Sequence, residues 1–186
     1  ISGFYKIKKL FGIKKTKILL TDIFDKHQIR GTLILSKEGI NGTISSNKKN
    51  LNLVLNKIKN IFNFKNFDSK NLSKSKFQIF HKGKVKIKKE VVPMGIKISN
   101  RKINKHLEPN KWNKLISSKK TILIDARKSF EYNVGTFKGS INPEINNFRE
   151  FPHYLKKLDK NQTIAMFCTG GIRCEKSGVY LEKKGF

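Results

Sequence analysis

The sequence predicts an α/β protein of two successive units, and three observations carry the prediction. Residues 1–90 show the order strand, helix, strand, strand, helix, strand, which is a split βαβ arrangement. Residues 121–186 contain two short apolar runs, each followed by a helical pattern, as expected of a parallel sheet covered by helices. Between them, residues 91–120 contain Pro93, Gly95 and Pro109 and are predicted to form a connector.

Hydrophobic spacing places the elements of the first unit. The predicted strands are 4–10, 29–35, 42–45, 77–80 and 84–88. The predicted helices are 14–27 and a segment around an apolar stripe that runs from Leu51 to Phe62. The polar segment 63–75 is predicted to be a loop. Asn41-Gly42 is interpreted as a turn, because such pairs commonly join two strands of a hairpin.

The second unit is predicted to have strands at 121–125 and 163–167 and helices at 148–158 and 175–184. Reactive groups of parallel sheets lie at the carboxyl ends of the strands. One such end carries Asp125-Ala126-Arg127 and the other carries Cys168. A short helix is also expected near Trp112, whose ring is interpreted as a packing anchor between the halves rather than a base-stacking platform.

The segment after the second strand is the candidate active-site loop: Cys168, Thr169, Gly170, Gly171, Ile172, Arg173 and Cys174. Two glycines tolerate the positive φ angles with which backbone amides converge into an anion-binding cup. The following helix N-terminus adds about half a positive charge, and Arg173 adds a full one. The Cys168 thiol is therefore expected to ionise below the free value of about 8.5 and to act as a nucleophile. The alternative is a buried structural cysteine beside an ordinary glycine turn.

Four other residues of the predicted site have two interpretations each. Arg173 either supports the cup or pairs with an internal carboxylate. Cys174 either resolves an oxidised or persulfurated Cys168 as a disulfide, or packs at the helix start. Asp125 and Arg127 are predicted to brace the loop rather than to serve as catalytic acid and base.

Charge and cysteine content restrict the class of protein. The formal net charge of +28 favours polyanionic partners, above all nucleic acid. Only five of the 41 basic residues are arginines, and an A+T-rich genome imposes an excess of Lys, Asn, Ile and Phe. The charge therefore has two interpretations, a binding footprint or, in part, mutational drift. Two cysteines, with no signal peptide and no membrane-spanning run, predict a cytoplasmic protein without structural disulfides. No DNA partner is expected.

The four histidines, at positions 27, 81, 106 and 153, are scattered, so no metal site is predicted, and no cofactor signature is evident.

Several strings resemble known families. Residues 123–127 (LIDAR), Glu131, Gly135, Gly139 and Asn142, followed by the Cys168 loop, resemble a rhodanese domain. Longer strings are similar to the rhodanese-type tRNA uridine hydroxylases: EGINGT at 38–43, FREFP at 148–152, and AMFCTGGIRCEK at 165–176. The resemblance extends from about Phe4 to Phe186. It implies a ferredoxin- or acylphosphatase-like domain followed by a rhodanese domain.

The resemblance also implies an activity. Family members hydroxylate carbon 5 of wobble uridine 34 in the tRNA anticodon loop, giving 5-hydroxyuridine, with molecular oxygen as co-substrate and an essential cysteine at the position of Cys168. Family members are usually longer, so the rhodanese domain is expected to be incomplete at its C-terminal end. Thr136 departs from the pattern, because many rhodaneses have His after the glycine at position 135. Gly178 is a second departure, because it lies inside a predicted helix at a cost of about 1 kcal/mol relative to alanine.

Two other activities use the same loop chemistry. A rhodanese-type sulfurtransferase would carry a persulfide on Cys168, and the loop residues alone do not separate it from the hydroxylase. A cysteine phosphatase also needs a thiolate in an anion cup, but such enzymes usually have five residues between Cys and Arg. Here four residues separate Cys168 from Arg173, which disfavours a phosphatase.

Overall fold

The computed structural model describes residues 1–96 and 106–186, which form two compact units, Ile1–Val91 and Val92–Phe186. The division falls one residue after the predicted end of the first unit. Residues 97–105 of the predicted connector lie outside the described residues. The α/β fold class with two successive units is confirmed.

The first unit is a five-stranded sheet with two helices. Its elements are β1 (Ser2–Ile7), α1 (Ile13–Lys26), β2 (Arg30–Ser36), β3 (Gly39–Ser45), α2 (Lys48–Ile61), β4 (Ser69–Leu72) and β5 (Gly83–Ile87). The strand order is β4-β1-β3-β2-β5, with β1 antiparallel to β3 and β4, and β5 parallel to β2. This is the split βαβ topology with one additional edge strand.

The core of this unit lies between the sheet and the two helices. Leu33 and Ile44 on neighbouring strands are fully buried, as are Leu20 on α1 and Ile58 on α2. The apolar stripe on α2 therefore packs inward, as its spacing predicts.

Two sequence predictions for this unit are wrong. Segment 63–75 is not only a loop, because β4 lies within it and pairs with β1. Segment 77–80 is not a strand, and Phe77 is 77% exposed. In both cases the hydrophobicity of the segment gives the wrong secondary structure. β4 is a polar, largely exposed edge strand, whereas the apolar residues near Phe77 are not buried in the sheet.

The prediction of a turn at Asn41-Gly42 is also wrong, because both residues lie inside β3 and the hairpin turn is at Lys37-Glu38. The Glu38 carboxylate accepts a hydrogen bond from the Val91 amide at 2.8 Å, and the Asn41 amide donates to the Val91 carbonyl at 3.2 Å. Gly42 is small because a Cβ there would lie 3.0 Å from the Phe4 ring. The EGINGT string thus fixes the end of the first unit.

The second unit is built on a parallel pair of strands. Its elements are α3 (Pro109–Ile116), β6 (Thr121–Asp125), α4 (Ser129–Val134), α5 (Phe151–Leu155), β7 (Thr163–Phe167) and α6 (Ile172–Lys183). In the described residues β6 pairs with β7 in parallel, from Thr121 opposite Thr163 to Asp125 opposite Phe167. Both strands have the bounds predicted from the sequence.

The helices of this unit differ from prediction at their ends. Helix α5 is shorter than the predicted 148–158, since Pro152 restricts it to starting near Phe151 and the chain turns again after Leu155. Helix α6 begins three residues before the predicted position, at Ile172, directly after the left-handed Gly171. Helix α4 was not predicted, because its single exposed turn has no apolar stripe.

Buried side chains tie α6 and α3 into the second unit. Lys176 on α6 is 1% exposed and its ammonium donates to the Val92 carbonyl at 3.0 Å. Trp112 on α3 has ring contacts with Phe137 and Phe167, which belong to the same unit. The tryptophan is thus a packing residue within the second unit. No helix in the described ranges is long and apolar enough to cross a membrane.

The close approach of β1 and β3 predicts a strong effect of Gly39→Ala. A Cβ at Gly39, where φ is +144°, would lie 2.1 Å from the Lys6 carbonyl oxygen. We expect the free energy of unfolding to fall by about 2 kcal/mol or more in urea titrations. Gly3→Ala is the matched control in the same strand pair, because its Cβ would meet only Thr43 at 3.8 Å. Equal stabilities of the two variants would contradict the assignment.

Candidate active site

Cys168 follows β7 directly and lies in a turn that aims backbone amides at its sulfur. The Gly171 amide donates to Cys168 Sγ at 3.1 Å, and the amides of Arg173 and Cys174 also hydrogen-bond the sulfur. Gly171 has a φ of 90°, which allows the chain to turn from the strand into α6. Gly170 does not have a positive φ. Of the two glycines, Gly171 alone therefore adopts the left-handed conformation that favours glycine.

The Cys168 thiol is held in its ionised form. A hydrogen bond from the Cys174 side chain is the largest cause, and together with the amides and the Arg173 charge it outweighs burial and lowers the pKa of Cys168 to about 5. The same contact, reinforced by burial, raises the pKa of Cys174 well above its usual value. The two cysteines are not joined in a disulfide. At neutral pH these pKa shifts favour the thiolate of Cys168 and the thiol of Cys174.

Arg173 pairs with an internal carboxylate, the second of the two roles considered from the sequence. Its guanidinium donates to both oxygens of Glu131 on α4, at 2.9 and 3.1 Å, and to Thr169 Oγ1 at 3.0 Å. Thr169 Oγ1 in turn donates to Glu131 at 2.8 Å. The Arg173 hydrogen bonds are the main reason that the pKa of Glu131 falls to about 2. This triangle attaches the Cys168 loop to α4.

Asp125 and Arg127 form a second hydrogen-bonded group, the Asp125 cluster, at the end of β6. The Asp125 carboxylate is fully buried and accepts from Arg127 Nε at 2.8 Å, Arg127 Nη2 at 2.6 Å and Thr136 Oγ1 at 2.9 Å. Burial opposes its ionisation, but these hydrogen bonds prevail and lower the pKa of Asp125. Arg127 Nη2 also donates to the Gly135 carbonyl at 2.6 Å. Thr136, which departs from the rhodanese pattern, therefore completes the Asp125 cluster.

Thr169 of the Arg173 triangle and Arg127 and Thr136 of the Asp125 cluster line a cavity of about 290 Å³. The lining residues come from the ends of β6 and β7 and from the segment after α4: Arg127, Gly135, Thr136, Phe137, Phe167, Cys168 and Thr169. The structure thus brings together the predicted residues Cys168, Thr169 and Arg127. Ile172 is 8% exposed and packs into the unit rather than lining the cavity.

Sequence reasoning did not assign roles to Glu131 and Phe137. The local sequence contains one indication for Glu131, its place as the third residue of α4. From that position its side chain accepts a hydrogen bond from the Lys128 amide at 3.1 Å. Nothing in the local pattern around Phe137 indicates that it lines a cavity, since its aromatic partners Trp112 and Phe167 come from other segments of the chain.

The fold and this loop define a class of protein: an acylphosphatase-like domain followed by a rhodanese-like domain. Residues 1–91 match the UPF0176 acylphosphatase-like domain, and residues 108–186 match the rhodanese-like domain. The chain is 63% identical over 187 residues to a protein of Pelagibacter ubique (strain HTCC1062) named tRNA uridine(34) hydroxylase. The match covers all of this chain and 62% of that relative. The chain is thus similar over its whole length to a rhodanese-type tRNA uridine(34) hydroxylase, as the sequence resemblance predicted, and it spans about 62% of the length of that relative.

The thiol contact predicts how Cys168 titrates in variants of Cys174. Cys174→Ala removes the donor, so the pKa of Cys168 should rise from about 5, whereas Cys174→Ser keeps an O–H donor and should leave it lower than in the alanine variant. The measurement is thiolate absorbance at about 240 nm, or the pH dependence of alkylation by iodoacetamide. Identical titration of Cys168 in all three proteins would exclude the contact.

The Arg173 triangle predicts a pH-dependent contribution to stability from Glu131. The folded pKa of about 2 lies below the ordinary glutamate value of 4.5, so the contribution is complete above pH 4.5 and is lost as the pH falls towards 2. Glu131→Gln should lower the free energy of unfolding by about 1–3 kcal/mol at pH 7. The deficit should shrink progressively below pH 4.5 in denaturant titrations. A deficit independent of pH would argue against the ionised carboxylate as its source.

Proposed function

We propose that this chain carries the catalytic centre of a tRNA-modifying enzyme that hydroxylates carbon 5 of uridine 34, with molecular oxygen as co-substrate and Cys168 as the catalytic residue. The single observation that carries the proposal is the Cys168 thiolate, with a pKa of about 5, lining an open cavity of about 290 Å³. The similarity to a relative named tRNA uridine(34) hydroxylase supports tRNA as the substrate class. Its setting would be the cytoplasm.

A thiolate suits this substrate chemically. Sulfur adding to carbon 6 of the uracil ring forms a C–S bond and moves the ring double-bond electrons towards carbon 5 and the adjacent carbonyl. Carbon 5 then becomes the nucleophilic atom and can form a C–O bond with molecular oxygen. Reduction of the resulting hydroperoxide to a hydroxyl group takes two electrons and two protons from a separate reductant and releases water. Loss of the carbon 5 proton and of the Cys168 thiolate then restores the ring double bond. The amides around Cys168 hold the negative charge on sulfur before addition and receive it again when the C–S bond breaks.

The surface of the first unit supplies candidate phosphate contacts. Lys84 and Lys86 on β5 are exposed. Lys6 and Lys8 are less suited, because Lys6 pairs with Asp68 at 2.8 Å and Lys8 donates to the Asn63 carbonyl at 2.5 Å. A hollow of about 860 Å³ in the same unit has Arg30, Lys48 and Lys74 among its lining residues. These cations favour a polyanion such as tRNA.

The alternative activity is persulfide transfer by the same sulfur. The ionised Cys168 and its amide cup serve a rhodanese-type sulfurtransferase equally well, and residues 108–186 match the rhodanese-like domain. Phosphatase activity is disfavoured further, because Arg173 is engaged with Glu131 and Thr169 instead of being held for a phosphate.

The decisive variant is Cys168→Ser. In a strain that lacks this gene and any second route to the modification, wild-type protein should restore 5-hydroxyuridine in tRNA, measured by nucleoside mass spectrometry. Because serine has no accessible anion at neutral pH, the variant should reduce the modified nucleoside by more than about 100-fold. Immunoblotting controls for protein abundance.

The same proteins assayed for thiosulfate:cyanide transfer separate the two activities. Intact 5-hydroxyuridine in the Cys168→Ser strain would overturn the hydroxylase proposal. Loss of sulfur transfer in that variant, with the modification unchanged, would support the sulfurtransferase alternative.

A further inference from the structure

We propose that Phe137 is the stacking platform for the target base, so that a uracil entering the cavity beside Cys168 lies against the exposed phenyl ring. This inference rests on the proposed function, since it concerns how that site holds its substrate. Phe137 lines the same cavity as Cys168, and 45% of the residue remains exposed. A buried aromatic ring would have no face to offer, whereas this one does.

The orientation of the Phe137 ring is fixed by two other aromatic residues. Its centroid lies 4.8 Å from that of Phe167 at an interplanar angle of 84°, and 5.8 Å from that of Trp112 at 61°. Edge-to-face contacts of this kind are favourable arrangements for aromatic pairs. The ring is therefore positioned before substrate arrives, and binding a base against it costs little side-chain entropy.

The other rings of this cluster are less suited to stacking. The Arg127 guanidinium lies 5.5 Å from the Phe167 ring centroid, so that ring already has a cationic neighbour. Trp112 is not among the residues that line the cavity, although it contacts both phenylalanines. Phe137 is thus the ring of the cluster that combines a place in the cavity wall with substantial exposure.

The size and walls of the cavity match one flipped base. Its volume of about 290 Å³ is at the lower end of the range for ligand pockets, which is about 300–1,000 Å³. Enzymes that modify a base commonly take it out of the stack and hold it against aromatic side chains in a close-fitting pocket. Single-stranded anticodon loops allow this at low cost, because their bases are accessible and can be splayed outward.

The chain offers matched control residues on the neighbouring helix α4. Phe130 is 65% exposed and Val134 is 88% exposed, but neither lines the cavity. Phe130→Leu therefore makes the same chemical change as Phe137→Leu at an exposed position outside the cavity. If exposed apolar area in general bound RNA, both substitutions would weaken binding equally.

The test is a double-mutant cycle between Phe137 and the base at position 34. The probes are two anticodon stem-loop RNAs, one with uridine at this position and one with an abasic site, and their dissociation constants are measured with wild-type protein and with the variants Phe137→Leu, Phe137→Tyr and Phe130→Leu. Wild-type protein should prefer the uridine RNA by roughly 5- to 150-fold, the equivalent of one base–aromatic stack.

Phe137→Leu should abolish most of that preference, while Phe137→Tyr and Phe130→Leu should keep it. An unchanged preference in Phe137→Leu, or no preference in wild-type protein that binds both RNAs, overturns the stacking role and leaves the proposed function standing. Absence of any stem-loop binding by wild-type protein overturns both. Thermal unfolding of each variant verifies that it is folded, and the tyrosine variant distinguishes loss of the ring from loss of packing.

Discussion

The interaction on which the rest of the site depends is the pairing of Arg173 with Glu131. It joins the first turn of α6 to α4, and Thr169 closes the triangle, so that the loop after β7 has one conformation. In that conformation the Gly171 amide and the Cys174 thiol hydrogen-bond the sulfur of Cys168. Arg173 thus acts on Cys168 mainly through geometry, by holding the loop that carries these groups, and adds its charge as a smaller effect.

Much of the second unit could be predicted because its strands are buried. The apolar runs of β6 and β7 end at Asp125 and Phe167 in both sequence and structure, since buried parallel strands have few polar interruptions. The start of α6 was placed too late, because Cys168 to Arg173 look like a loop until the left-handed Gly171 is recognised as the turn. Partners distant in sequence, such as Glu131 for Arg173, are not visible in a local pattern.

In the first unit, local sequence patterns give wrong secondary structure where the composition of a segment does not match its burial. Edge strand β4 is polar, and so it resembled a loop, whereas the exposed apolar residues near Phe77 resembled a strand. Asn41-Gly42 has the composition of a turn, yet its glycine is required by the Phe4 ring and its asparagine holds the backbone of Val91. The composition of the pair indicates a turn, but tertiary packing determines its place inside β3.

The contact between Cys168 and Cys174 has a consequence for how the site responds to its surroundings. One sulfur loses its proton at a pH of about 5, while the other retains its proton to well above its usual value of 9.0. Between those limits the two sulfurs together carry one negative charge and one hydrogen. Acidification or alkalinisation between those limits would therefore leave the negative charge on Cys168.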